Sequence, residues 1–121
     1  MINFADADVE AMAAQDPDVP IVMLNLLRFV HEGGQASYMS YVSENSAVWQ
    51  RYGAEVLYAG VGHPALVADP GQEWDAVAIV RYPSRRAFLE MVRDPEYLAN
   101  EHLRTEALTE SVLQPTTPLG A

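Results

Sequence analysis

The sequence predicts an α+β fold, a four-stranded antiparallel sheet in βαββαβ order with its helices on one face. Three observations carry the prediction. Strand-like runs start near Pro20, Ala54, Trp74 and Ser111. A helical pattern lies between the first two and another between the last two, the spacing of a split β-α-β arrangement. The first run, Ile21 to Phe29, is apolar on both parities apart from Asn25 and Arg28, as in a strand covered on both faces. The chain of 121 residues, 50% of them apolar, suits one domain burying about two-thirds of its unfolded surface.

Asp6 or Asp8 is expected to cap a short helix through Val9, Met12 and Ala13, stopped by Asp16-Pro17-Asp18. In the first strand the period of two sets Ile21, Met23, Asn25, Leu27 and Phe29 on one side and Val22, Leu24, Leu26 and Arg28 on the other. Gly33-Gly34 ends the connection that follows. From Ser37 to Tyr52 the pattern turns helical, with Tyr38, Tyr41, Val42, Val48, Trp49 and Tyr52 within roughly a third of the wheel. Gly53 stands where a left-handed C-cap is wanted. Ala54 to Val61 reads as the second strand, with Val56 and Tyr58 on one side, and Gly60, Gly62 and Pro64 break it. Ala65 to Ala68 is a candidate short strand, Asp69-Pro70-Gly71 a turn, and Trp74 to Tyr82 the third strand, closed by Pro83.

Ser84 is placed to cap a helix that buries Phe88, Leu89 and Val92, and Asp94-Pro95 restarts helix at once with an N-cap and a proline at the first position. That helix runs to about Thr109, and Ser111 to Gln114 forms the last strand before Pro115. One sheet with two helices leaves its second face bare, so a homodimer paired through the sheets is expected.

Composition excludes several classes. Asp and Glu number 17 and the cations 7, all arginine, for a formal charge of −10. No basic stripe is available for nucleic acid or an anionic membrane. With no cysteine there is no disulfide, thiolate metal site or Cys nucleophile, and with no lysine no Schiff base. The first residues lack a charged-then-apolar leader, and no apolar run approaches a membrane span; a soluble, cytoplasmic chain is the expectation. His31, His63 and His102 lack metal-ligand spacing, and no phosphate-binding glycine fingerprint or serine nucleophile motif occurs. No metal and no cofactor are expected.

Several strings together are similar to the DUF1330 family. They are Pro20 to Phe29, Tyr38-Met39-Ser40-Tyr41, Gly53 to Gly60, Trp74-Asp75-Ala76-Val77, Arg81 to Arg85, Asp94-Pro95-Glu96-Tyr97 and His102 to Leu108. The likeness spans roughly Pro20 to Pro115 and suggests three parts: an N-terminal helix and linker (1–19), the family's α+β barrel domain (20–115) and a tail (116–121). The resemblance implies a ferredoxin-like fold that closes into a dimeric α+β barrel. Its superfamily includes cofactor-free monooxygenases, isomerases and cyclases, so the fold implies a pocket and no particular reaction.

Candidate site residues follow from chemistry. Asn25 puts an amide in mid-strand, which costs roughly 1–3 kcal/mol unless it is hydrogen-bonded. It either lines a pocket as a donor to a substrate carbonyl or is a satisfied structural amide. Asn45 lies within the Tyr38, Val42, Trp49 stripe and either lines the same cavity or bonds the helix–sheet interface. Among the aromatic residues, Tyr38, Tyr58 and Trp74 are the expected pocket walls and Tyr41, Trp49, Tyr82 and Tyr97 the expected core. His102 is the candidate base, with an ordinary pKa near neutrality, and Arg104 the candidate anion clamp. The two lie about 160° apart on the wheel, so one pocket does not take both. The expected function is binding of a small organic substrate, with cofactor-independent proton transfer (isomerase, cyclase or monooxygenase-like) as the enzymatic form. The alternative is a non-catalytic dimeric binding or assembly module.

Overall fold

Strand and helix signals in the sequence resolve into α1 (Asp6–Ala14), β1 (Ile21–Phe29), α2 (Gly34–Arg51), β2 (Glu55–Val61), β3 (Ala76–Tyr82), α3 (Arg85–Val92), α4 (Pro95–Ala107) and β4 (Leu108–Thr116). The computed structural model describes residues 3–120. The strands form one sheet in the order β2-β3-β1-β4, every neighbouring pair antiparallel. This is the ferredoxin-like arrangement, with an additional N-terminal helix.

Register assigns the two faces. Ile21, Met23, Asn25 and Leu27 stand opposite Tyr82, Val80, Ala78 and Ala76 on β3 and face the helices. On the other face Val22, Leu24 and Leu26 stand opposite Arg81, Ile79 and Val77. The helix face is bulky toward Ile21, where Met23 and Tyr82 join Val48, Phe88 and Met91 in the core. Toward Leu27 it becomes small, with Ala78 and Ala76 on β3 and Ala59 opposite Ala78 on β2.

Helix termini behave mostly as their residues dictate. The Ser84 side chain accepts from the Ala87 N–H at 3.0 Å, and Asp94 Oδ1 accepts from the Glu96 N–H at 2.8 Å beside Pro95. Gly53 has φ +76°, the left-handed conformation that ends α2. α2 starts earlier than Ser37, at Gly34, which is buried against the α4–β4 junction, where a Cβ would lie 2.7 Å from the Ala107 carbonyl oxygen. In α1 neither Asp6 nor Asp8 caps; Ala5 is the N-cap and both acids sit in the first turn. There they complement the helix dipole, and Asp6 pairs with Arg93 at 3.3 Å. Arg85 donates to the Met12 and Gln15 carbonyls at 3.2 and 3.1 Å, capping the other end of α1 and tying it to α3.

Four strand expectations are corrected. Ala65 to Ala68 forms no strand, and β3 begins at Ala76 instead of Trp74. β4 is longer than Ser111 to Gln114 and passes through Pro115 to Thr116. It is an edge strand, where a residue without an N–H is tolerated. A bulge between Val56 and Tyr58 gives β2 one extra residue, which reverses the parity beyond it. Val56 therefore faces the helices, while Tyr58, opposite Ile79, faces away. Among the described residues, no helix is long and apolar enough to cross a membrane.

Candidate functional site

The small residues at the Leu27 end of the helix face leave space beneath α2. A cavity of about 1280 Å³ opens there, between α2 and the β2, β3 and β1 strands. Its floor includes Asn25, Ala76, Ala78 and Ala59, and its roof includes Tyr38, Tyr41, Val42 and Trp49. It is open along β2, whose Val56 and Val61 remain 59% and 71% exposed although they face the helix layer.

Four phenols from three elements line it: Tyr38 and Tyr41 from α2, Tyr82 from β3 and Tyr97 from α4. The Tyr41 and Tyr97 hydroxyls are hydrogen-bonded at 3.0 Å. The rings are packed, with Tyr38 to Tyr41 centroids 5.3 Å apart and Tyr41 to Trp49 5.5 Å apart, the latter edge-on. Burial pushes all four phenols above their ordinary value, Tyr41 well above it, and the Tyr97 hydroxyl adds to the effect on Tyr41. The Arg104 guanidinium pulls Tyr38, Tyr41 and Tyr97 the other way without overcoming burial. These hydroxyls keep their protons at neutral pH.

Arg104 lines the same cavity and is 4% exposed. Its Nη1 donates to Asn3 Oδ1 at 3.4 Å and its Nη2 to Ser111 Oγ at 3.3 Å. Asn25 Nδ2 donates to the Met23 carbonyl at 3.3 Å, so Oδ1 is the end of that amide left for an occupant.

The structure thus brings Asn25, Tyr38 and Arg104 to one cavity and places the other sequence candidates elsewhere. Asn45 is wholly buried behind the lining, and its Nδ2 donates to the Tyr41 carbonyl at 3.0 Å. The β2 bulge puts Tyr58 on the outer face. Trp74 precedes β3 and lies under the Arg28 guanidinium, 4.6 Å from ring centroid to Cζ. Arg28 also bonds the Gly71 and Glu73 carbonyls at 2.9 and 2.6 Å, fastening the β2–β3 connection. His102 is on the exposed side of α4, its Nδ1 3.1 Å from the Ala99 carbonyl. The helical phase that buries Arg104 turns His102 outward. Tyr41, Trp49, Tyr82 and Tyr97, expected as plain core, also line the cavity. The signal that marks it is the alternation Ala76, Ala78 in the strongest strand, small residues where the core would otherwise take large ones. Among the described residues no group of three His, Asp or Glu side chains is arranged to hold a metal ion.

A ferredoxin-like α+β domain with a tyrosine-lined cavity under its first long helix defines the class. The model of the domain of unknown function DUF1330 matches residues 30–114, and the chain belongs to that family. It is similar to the RPA0582 protein of unknown function from Rhodopseudomonas palustris, at 31% identity over 99% of this chain and 98% of that one, with a TM-score of 0.88. More distant structures share the fold. A hydroxynitrile lyase from Passiflora edulis has 13% identity over 87% of this chain and 98% of its own, with a TM-score of 0.65. A dimeric ferredoxin-like protein of unknown function from Bacteroides fragilis has 11% identity over 80% and 94%, with a TM-score of 0.54. No curated protein matches the sequence significantly.

Proposed function

We propose that this protein binds a small, largely apolar organic molecule in the cavity beneath α2, with Asn25, Tyr38 and Arg104 among its contacts. The observation that carries the reading is the cavity itself, about 1280 Å³ and walled mainly by aromatic and small aliphatic side chains with a few convergent polar groups. That composition is what ligand sites share. Acid–base character favours binding over turnover. The lining phenols are held protonated, and His102, the base expected for proton transfer, projects from the opposite side of its helix. The test is a thermal-shift and calorimetric screen of the full chain against aromatic alcohols, lactones and acids, because a ligand that binds only the native state raises its stability by mass action. Stabilisation by at least one class is expected; no shift with any class at millimolar concentration overturns the reading.

The same proposal includes self-association through the outer sheet face. Leu24, Leu26, Val77 and Ile79 make that face apolar, and on β2 Leu57 and Tyr58 are 49% and 57% exposed. A two-fold pairing of the face with a second copy removes both patches from water. Sedimentation is expected to give a dimer that Ile79→Asp converts to folded monomer; a wild-type monomer at micromolar concentration refutes it.

A further inference from the structure

Of the polar side chains that line the cavity, Arg104 and the four phenols can donate hydrogen bonds, while Asn25 Oδ1 and the Asp75 carboxylate only accept. Trp49 Nε1 is buried with no partner, and an indole N–H can only donate. Among the described residues the Tyr82 hydroxyl has no hydrogen-bond partner, although Tyr82 is 5% exposed and lines the cavity. The Tyr38 hydroxyl is in the same position. In the Tyr41–Tyr97 pair one proton fills the shared bond, and the other hydroxyl proton remains to be given. The Tyr97 hydroxyl is coupled to those of Tyr38, Tyr41 and Tyr82, and Tyr38, Tyr41 and Tyr97 lie in the positive potential of Arg104, which Glu101 opposes at Tyr97. Only Trp49 Nε1 among these donors is fully buried without a partner; the phenol hydroxyls are free to engage an occupant, and a group that accepts hydrogen bonds is the one they favour.

We infer that the occupant of this cavity is an organic acid, a carboxylate carried on an apolar body about the size of one or two rings. The carboxylate oxygens, with about four acceptor sites between them, take phenol protons beside Arg104. The body lies on Ala76, Ala78 and Val42. Hydrogen bonds to a charged acceptor are about twice as strong as neutral ones, and the low-dielectric surroundings strengthen them further. The carboxylate that lines the rim, Asp75, already accepts the Phe29 N–H at 2.9 Å, and the rim also carries Arg28 and His31. The inference rests on the binding reading above and narrows it to one chemical class.

The test uses three probes of equal shape, 1-naphthoate, 1-naphthalenemethanol and 1-naphthylmethylamine, titrated calorimetrically into the full chain. Naphthoate is expected to bind at least about tenfold more tightly than either of the others. That ratio is expected to shrink severalfold in Tyr82→Phe, which keeps the ring and removes one unpartnered hydroxyl, and to vanish in Arg104→Gln. If Arg104→Gln does not fold, the double variant Tyr41→Phe/Tyr97→Phe supplies the same reading. Binding of the alcohol or amine as tightly as naphthoate overturns the acid assignment and leaves the cavity reading standing. Binding of none of the three overturns both.

Discussion

Replacing Ala78 by Leu asks whether the space beneath α2 is a true void. Ala78 lies on the helix face between Asn25 and Ala59 and lines the cavity. Leucine adds three carbons, worth about 2.4 kcal/mol if wholly buried at ~0.8 kcal/mol each. The cavity is open along β2, where Val56 is 59% exposed, so about half of that gain is retained. The expected outcome is stabilisation by ~1 kcal/mol, a rise of roughly 3–6 °C in the melting midpoint for a domain of this size. If the site were closely packed, the same change would cost ~1–3 kcal/mol through forced rotamers. The sign of the effect therefore decides. Denaturation must be followed at fixed protomer concentration, because the proposed self-association would couple to stability. Calorimetry with the tightest probe should show at least about a tenfold loss of affinity. A lowered midpoint, or unchanged affinity, refutes the assignment of the cavity as the binding site.

Leu27, 1% exposed and packed on Ala107 and Leu108, should cost ~2–5 kcal/mol when cut to alanine, read from chemical denaturation. Arg28→Ala should cost ~1–2 kcal/mol, since it removes hydrogen bonds from a charged donor and the cation–π contact with Trp74; a red shift in tryptophan emission and faster proteolysis between Gly62 and Trp74 would accompany it. His102→Ala should leave stability within about 0.5 kcal/mol and probe affinity unchanged, and a loss of affinity would return His102 to the site. Tyr38, Tyr41, Tyr82 and Tyr97 hold their protons more tightly in the native state than at the ordinary value of 10.0. Their contribution is thus complete below about pH 10 and is lost as pH rises through the higher native values. Stability should fall on the alkaline side together with phenolate absorbance, and phenolate absorbance that appears fully at pH 10 while the fold persists would contradict the buried placement.

The order of elements could be read from the sequence because each signal is local. Ser84 and Asp94 accept from their own helix's first turn, and Gly53 adopts the one backbone conformation that a side chain would resist. The parity of β1 was equally legible, so Asn25 shares a side with Ile21, Met23 and Leu27 in the sequence as in the sheet, while only the packed fold decides which side meets the helices. What escaped depends on distant partners. Pro115 stops a central strand but not an edge strand, and only the sheet order makes β4 an edge. The need for glycine at position 34 comes from the Ala107 carbonyl, more than seventy residues away in sequence.

The site divides along the same line. Asn25, Tyr38 and Arg104 sit on uninterrupted elements, where counting by two or by 3.6 carries a side chain to the correct face. Tyr58 does not, because one bulged residue between it and Val56 reverses its side, and nothing in Val56-Leu57-Tyr58 announces a bulge. His102 shows the limit of arguing from residue type alone. A role in the cavity requires the phase that Arg104 occupies, and two residues about 160° apart on one helix cannot share it. The cavity's own signature is subtractive. Ala76 and Ala78 were read as ordinary strand positions, yet their small size opposite Asn25 and Leu27 makes the space that the phenols surround. Enlarging one of them is therefore a sharper test of function than removing any polar group, since it intrudes on the floor of the space without disturbing a hydrogen bond.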